Sequence, residues 1–469
     1  MPCQLPADCL NGIFEYLEDL EDKVTLYSCL LVNRLWCEVS VEILWKSIWN
    51  CRTLIACLPL ESKEILLKNK IIISPPTLNP PLFNYITFIK VLQINKIGEE
   101  INNVLEDDPL VLSRVVVAQE IFKMFMNKIS LKKLNFYSSA NYIKYIPFTS
   151  FPGSIDCLKN LAELNCNSNI YSEFFHRLSK ICHNIQSLNI GFIKVISNGV
   201  TDLISVQRNL KYLSIIKSRC EDLADMIILP SIANLPNTLI KLSLYGDECG
   251  IPLSFISRFS NLQELILAFD DCNYLGFEKL CGVIFPKLHI LKFKYGLPKQ
   301  ECLTKFLENN GVNLERLELK YCNVNHTLNL TIVKSCPNLK SLGTIFSDNE
   351  LGPLKVILNR CKRLESIRVE CYDECLNERE LLEMVAKYSP KCFHELKLYY
   401  GYGAYSELFP KELESFFTSM TNRIPQKSLS FIIINGYKTK SLVFKEGNME
   451  VIEKYIQLGV IRKFKSTTK

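Results

Sequence analysis

The sequence predicts an α/β protein in which a short helical segment precedes a long array of strand-and-helix repeats. Three observations predict it: an apolar pattern that returns at near-constant spacing, a helical apolar period between its copies, and a composition able to build a large core. Of 469 residues, 48% are hydrophobic and 22% charged, which excludes a disordered chain. Length alone suggests about three domains.

From the N-terminus, Leu5-Pro6 opens a helix, because proline in a first turn forfeits no intrahelical bond and presets φ. Leu10, Ile13, Phe14 and Leu17 follow at helical spacing. An acidic linker, Glu18 to Asp22, leads to a second apolar segment with Leu26, Cys29, Leu30 and Val32. Asn33 then caps a third helix bearing Leu35, Trp36, Val39, Ile43, Leu44 and Trp45. These first fifty residues hold eight acids against three bases, a charge of −5 that leaves +11 for the rest of a chain at +6 overall. Three short helices make too small a core to stand alone, so a partner or the adjoining array should complete it.

Beyond a proline-interrupted stretch from Ile71 to Ile89, which prolines 75, 76, 80 and 81 disqualify as a membrane-spanning helix, the repeat begins. The pattern apolar-x-x-apolar-x-apolar appears as Leu131/Leu134/Phe136 and returns ten times, through Leu314/Leu317/Leu319 and Leu339/Leu342/Ile345 to Phe393/Leu396/Leu398, at intervals of 23 to 30 residues. An earlier copy, Ile89/Leu92/Ile94, stands 42 residues ahead, and Val111, Val115, Phe122 and Met126 predict an inserted helix between them. In every copy but Leu339/Leu342/Ile345, where the step is three, the second and third apolar residues lie two apart, so a strand points both inward. Between strands, Phe174/Leu178/Ile181, Leu351/Leu354/Leu358/Cys361 and Leu381/Val385/Tyr388 carry a helical period. Three buried aliphatic side chains contribute roughly 5 kcal/mol, less than the entropy of ordering such a repeat, so only stacked copies are stable. Phe431 to Ile434, the Asn435-Gly436 turn and Leu442 to Phe444 predict a C-terminal capping hairpin, followed by a frayed basic tail with Arg462, Lys463, Lys465 and Lys469.

The array from Ile89 to Tyr399 resembles leucine-rich repeats of the long, cysteine-containing type, Leu314 to Cys322 being the best-formed copy. The N-terminal segment is similar to the F-box, on Leu5-Pro6, Ile13-Phe14, Leu17, the Leu30 to Trp36 run and Leu44-Trp45, and to expanded groups of fungal F-box proteins in its continuation through Trp45 to Ile48. Together the resemblances imply a right-handed solenoid, or horseshoe, behind an F-box. The expected domains are 1–50 F-box, 51–88 linker or N-terminal cap, 89–425 leucine-rich repeats, and 426–469 C-terminal cap and basic tail. They also imply an S-phase-kinase-associated adaptor as partner and through it a cullin scaffold, in an SCF-type ubiquitin ligase whose target the repeats recognise. Adaptor-binding residues by this likeness are Leu5, Pro6, Leu10, Ile13, Phe14, Leu17, Leu30, Val32, Leu35, Trp36, Leu44 and Trp45, with Pro6, Leu10 and Trp36 expected at the partner surface. The alternative is that the same residues are the internal core of a helical cap on a leucine-rich scaffold without a ligase role. A nucleic-acid-binding solenoid using the +11 remainder is a second rival.

Catalytic motifs are missing from the sequence: the five histidines fall in no His-Glu-x-x-His frame, and no Gly-x-Ser-x-Gly elbow or phosphate loop occurs. No enzyme activity, cofactor, membrane or nucleic-acid partner is expected. The twenty cysteines are scattered and fit reduced thiols in the cytoplasm or nucleus, where the acceptor patterns at Asn325 and Asn329 carry no glycan. Cys371 and Cys375 lack a second pair for zinc, and Cys166 and Cys322 read as small apolar fillers. The expected target surface is the outward strand face. Its later positions are Lys292, Lys294, Arg316, Lys320, Arg368 and Lys397 against Glu318, Glu370 and Glu395, with Tyr212, Tyr245, Tyr399 and Tyr137 in equivalent places. Such a face suits an acidic or phosphorylated protein segment.

Overall fold

The computed structural model describes residues 5–468 apart from 20–21, 49, 72, 74–80, 107, 109, 138–141, 172, 194–198, 219–231, 233, 247–251, 270–273, 323, 325, 348–349, 373–375 and 424–426. The chain forms two compact units, Met1–Pro236 and Asn237–Lys469.

The first unit opens with α1 (Ala7–Asp19), α2 (Lys23–Cys29) and α3 (Arg34–Leu44). Asp22 and Asn33 supply the caps of the second and third, their side chains accepting from Thr25 N and Trp36 N at 3.0 Å each. Two short helices, α4 (Cys51–Ala56) and α5 (Leu60–Lys68), fill the linker region. Strand β1 (Val91–Gln93) then starts a parallel sheet that runs in chain order through β2 (Lys133–Phe136), β3 (Glu163–Asn167), β4 (Ser187–Ile193) and β5 (Tyr212–Ser218). The insertion after β1 is helical, as the sequence predicts: α6 (Ile94–Val104) and α7 (Val111–Lys128).

The second unit continues the plan with nine parallel strands in chain order. These are β6 (Lys241–Gly246), β7 (Glu264–Phe269), β8 (Ile290–Lys294), β9 (Arg316–Lys320), β10 (Ser341–Ile345), β11 (Ser366–Cys371), β12 (Glu395–Tyr400), β13 (Leu429–Asn435) and β14 (Ile461–Thr468). The Leu351–Arg360 and Glu378–Tyr388 helices stand where the helical periods predict them.

Register explains the repeat spacing. Leu291 sits beside Leu317 and Phe293 beside Leu319, so the inward residues form two continuous apolar rows, all at or near zero exposure. Aromatic rings tie these rows to the connecting segments: Phe136 meets Phe174 at 5.5 Å, Phe277 meets Phe293 at 6.1 Å and Phe417 meets Phe431 at 5.6 Å.

Three expectations are corrected. In β10 the inward partner of Val369 is Thr344, not Ile345; its hydroxyl is satisfied by Asn329 Oδ1 at 3.2 Å, which lets a polar residue occupy an apolar row. Phe431 to Ile434 do not turn back as a hairpin. They lie in β13, paired in parallel with β12 and β14, while Leu442–Phe444 is a 3-10 turn. The basic tail is therefore ordered as β14 through Arg462, Lys463 and Lys465, because Phe464 seats on Phe431 at 6.3 Å.

Buried amides, which no apolar pattern reveals, join successive layers. Asn310 is fully buried; its Oδ1 accepts from Phe285 N at 2.7 Å and its Nδ2 donates to Val283 O at 2.9 Å and Phe306 O at 3.1 Å. Gln207 plays the same part in the first unit toward Ile185 N, Cys182 O and Leu203 O. Buried thiols add weaker links, Cys182 Sγ donating to Leu158 O at 3.2 Å and burial pushing its pKa up to about 12. Replacing Asn310 by Leu strands one N–H and one carbonyl of the preceding layer, Phe285 N and Val283 O. It should therefore lower stability by about 3 kcal/mol, read as an earlier urea midpoint.

Candidate functional sites

In the first unit, α1, α2 and α3 enclose Leu10, Phe14, Leu26, Cys29, Val41 and Leu44, each below 7% exposure, with Phe14 edge-on to Trp36 at 5.3 Å. Trp45 is 4% exposed and lies on Tyr85 at 4.5 Å. The chain after α3 completes this small core from one side: Lys46 O accepts from Lys90 N and Val91 N at 2.9 Å, and Ser47 bridges to Val91. Leu10 thus belongs to the interior, contrary to its expected place at a partner surface, because the helical period turns it toward α3 together with Phe14. Phe14, Leu44 and Trp45 are likewise covered by the chain itself, while Leu17, Leu30, Leu35 and Trp36 are half-buried.

The opposite outcome holds for the remaining residues. Leu5, Ile13, Tyr16, Val24, Tyr27, Leu31 and Val32 are exposed by 47 to 78%, and Pro6 is also exposed. Seven large apolar side chains on some thirty residues is far above a scattered surface background. Val24, Tyr27 and Leu31, which the sequence reading does not single out, are among them. Their signal was legible as apolar residues out of phase with the buried Leu26 and Cys29.

The second candidate is the outward strand face of the second unit. Alternation places Tyr245, Lys292, Lys294, Arg316, Lys320, Arg368, Lys397 and Tyr399 on it, as expected, while Tyr212 is on the corresponding face of the first unit, 44% exposed. Most of these charges are already paired. Glu264 is clamped by Lys292 at 2.8 Å and Lys241 at 3.0 Å, Lys320 meets Glu318 at 2.8 Å, and Lys397 meets Glu395 at 2.6 Å. Burial raises the pKa of each of these three carboxyls, but the lysine hydrogen bonds and charges outweigh it and hold all three below the usual carboxylate range.

Arg368 is a buried member of this face rather than an open anchor, being 8% exposed. Its guanidinium lies 4.8 Å from the Tyr399 ring and 5.6 Å from the Tyr321 ring. Nη1 pairs with Glu370 Oε1 at 2.7 Å. Glu370 is fully buried and accepts from Tyr321 N at 3.1 Å and Tyr372 OH at 3.2 Å. Burial raises its pKa and outweighs the charge of Arg368 and the hydrogen bonds from Tyr321, Tyr372 and Arg368. Tyr372 is held against backbone at Gly401, where a Cβ would fall 1.7 Å from its ring.

Beside this pair, Tyr295 and Tyr321 follow β8 and β9 at equivalent positions, both in the left-handed region at φ 73° and 58°, with rings stacked at 5.6 Å and 17°. A tyrosine in that conformation costs about 1–3 kcal/mol, which the sequence gives no hint of. A cavity of about 180 Å³ opens here, lined by Lys294, Tyr295, Lys320, Tyr321, Arg368 and Ile434.

Among the described residues no group of three or more His, Cys, Asp or Glu could hold a metal ion, and no helix is long and apolar enough to cross a membrane. Cys371 is buried in β11; its notional zinc partner Cys375 and the acceptor Asn325 lie outside the described residues.

Because the folded-state pKa of Glu370 is raised, the stability it contributes is present below its ordinary value of 4.5 and lost as pH rises through the folded value. The stability of wild type relative to Glu370→Gln should accordingly be greatest in acid and fall toward neutrality, measured by denaturant titration at several pH values. Gly401→Ala should displace Tyr372 and raise its fluorescence exposure with a stability loss of roughly 1–3 kcal/mol.

No family model matches the chain and no curated protein matches it, so the functional reading is carried by these residues themselves.

Proposed function

We propose that the chain is the substrate-recognition subunit of an SCF-type ubiquitin ligase, its N-terminal helices docking an S-phase-kinase-associated adaptor and its repeat array presenting a target protein. The observation that carries this reading is the set of exposed apolar side chains on α1, α2 and the turn after α2. A fifty-residue helical segment that buries Leu10, Phe14 and Leu44 yet leaves Ile13, Val24, Leu31 and Val32 in solvent has a core of its own and a second apolar face unused by its own chain. Each such side chain covered by a partner contributes about 1.5–3 kcal/mol, so four or five suffice for firm association.

The repeat array supports the other half of the reading. Parallel strands in chain order give a rigid outward face with alternate side chains displayed at fixed spacing, which suits a protein ligand. Ubiquitin transfer itself would be performed by other subunits, and the contribution of this chain would be proximity, raising the local concentration of target lysines near the transferring enzyme.

The test is capture of a purified adaptor by the full-length chain. Wild type should bind, and the surface pair Ile13→Asp/Val32→Asp should weaken binding by a hundredfold or so without shifting the thermal midpoint. Wild type that ignores the adaptor, or a variant that captures it unchanged, would leave the scaffold reading in its place.

A further inference from the structure

One outward position on each of β1 to β5 is filled by an uncharged hydrogen-bonding side chain. Gln93 lies beside Asn135, Asn135 beside Asn165, Asn165 beside Asn189 and Asn189 beside Ser214. The second unit uses charges at equivalent positions, as in Lys292 beside Glu318 and Arg368 beside Lys397. At the β1 end of the amide row lies a cavity of about 450 Å³ whose lining includes Gln93, Asn95, Asn103, Asn135 and Tyr137. We propose that this row and cavity bind the main chain of an extended, uncharged segment of a protein, through its peptide groups rather than its side chains. The identity of the protein that carries the segment rests on the substrate-receptor reading; the amide site does not.

The first argument is the way the amides pair. Asn165 Nδ2 donates to Asn135 Oδ1 at 2.8 Å, and Asn189 Nδ2 donates to Tyr137 OH at 3.0 Å. Each bond uses one end of an amide and leaves the other. Asn189 Oδ1 has no hydrogen-bond partner, and Asn95 Oδ1 in the cavity wall is in the same state. The Gln93 side-chain amide has no partner among the described residues. Asn135 and Tyr137 serve only as acceptors in these bonds, so Asn135 Nδ2 and the Tyr137 O–H keep protons to donate. Amide groups left unmet in a folded chain cost free energy, which a ligand that meets them recovers. Asparagine χ2 is a broad torsion, so a rotation of the amide turns its oxygen toward an arriving N–H.

Unmet groups of both kinds select the ligand. A peptide group carries a donor and an acceptor side by side, the complement of a carboxamide, whereas an anion supplies only acceptors and an ammonium only donors. Net charge in the cavity is small, because Lys96 interacts with both Glu99 and Glu100. On the strands beside it, the outward charges Lys133 and Glu163 are joined to each other at 2.8 Å. Neither sign therefore steers the ligand.

Length argues for a chain rather than a compact molecule. Four amides on adjacent strands about 4.8 Å apart span roughly 14 Å, the reach of about four extended residues. The cavity alone falls within the roughly 300–1,000 Å³ of a small-ligand site, but it takes in only the first two members of the row, Gln93 and Asn135. Two other hollows are set aside because their cations are already paired. Beside β8 and β9, Lys320 meets Glu318 and Arg368 meets Glu370, and between Glu378–Tyr388 and Pro410–Thr421, Arg379 meets Glu383 at 3.0 Å and Glu412 at 3.5 Å.

The experiment is calorimetric titration of the purified full-length chain, without adaptor, with four uncharged probes: a capped octapeptide of alternating alanine and serine, its alanine-threonine counterpart, the first peptide N-methylated at every second residue, and a glucose tetrasaccharide. The two unmodified peptides should bind with similar affinity, because their main chains are the same, and the N-methylated peptide and the tetrasaccharide should not bind. Gln93→Met removes both ends of one amide at nearly constant shape. Asn135→Asp keeps an oxygen for Asn165 Nδ2 while deleting the free N–H. Each should weaken peptide binding about tenfold without shifting the thermal midpoint. Equal binding of the N-methylated peptide, a preference for the tetrasaccharide, no binding at millimolar peptide, or unchanged affinity in either variant overturns the proposal. Adaptor capture is measured separately, so a chain that holds the adaptor but not the peptide refutes this site alone, and the reverse refutes only the ligase reading.

Discussion

The fold depends on one backbone interaction repeated through most layers: a carbonyl just ahead of a strand accepts two consecutive N–H groups from the next layer. In the first unit Lys46, Lys90, Lys132, Ala162 and Gln186 do this, and in the second Ile240, Gln263, His289, Glu315, Lys340 and Glu365, at distances of 2.8 to 3.1 Å. Two donors from adjacent residues pin the phase of the strand that follows. A slip of one residue would turn every inward leucine outward, so this contact fixes which side chains build the core and which meet solvent. Its first occurrence, at Lys46, is also what joins the N-terminal helices to the strands.

Once phase is fixed, the outward face inherits a rule from strand spacing. Equivalent side chains on neighbouring strands stand about 4.8 Å apart, close enough for lysine and glutamate to pair across or along strands. Lys241, Glu264 and Lys292 follow that rule, and so do Glu318 with Lys320 and Glu395 with Lys397. Around β10 the rule changes, since Gly343 places no side chain between Glu318 and Arg368, where a Cβ would only touch them at 3.6 and 3.7 Å. Arg368 and Glu370 are drawn out of solvent there and framed by tyrosines. Pairs that are half-buried elsewhere become almost fully buried here, and tyrosine rings frame them.

The N-terminal helices obey a different constraint. A segment of this size has too little interior for all its apolar residues. Leu10, Phe14, Leu26 and Leu44 exhaust it, and Trp45 finds cover on Tyr85. What is left over is displayed on α1, α2 and the turn after α2. Such a surface is a consequence of volume as much as of function, and its apolar extent is what gives it a use.

The sequence by itself determined the layered α/β plan, the phase of the strands and the three N-terminal helices with Asn33 as a cap, because period-two and period-3.6 apolar patterns and capping chemistry are local. It also placed the lysines, arginines and tyrosines on one face by alternation alone. Only tertiary structure decided that Leu10 is covered by the chain itself, since a helical period fixes a face but not what meets it. The last strands needed it too: Asn435-Gly436 has the chemistry of a hairpin turn, but Phe431 and Phe464 gain more by joining the inward row of a parallel sheet. Ile345 yielded its inward place to Thr344 because Asn329, fifteen residues away in sequence, could satisfy the hydroxyl. The cavity at Arg368 joins residues from β8 to β13, so its strained tyrosines and volume arise from packing between layers, which no single repeat encodes.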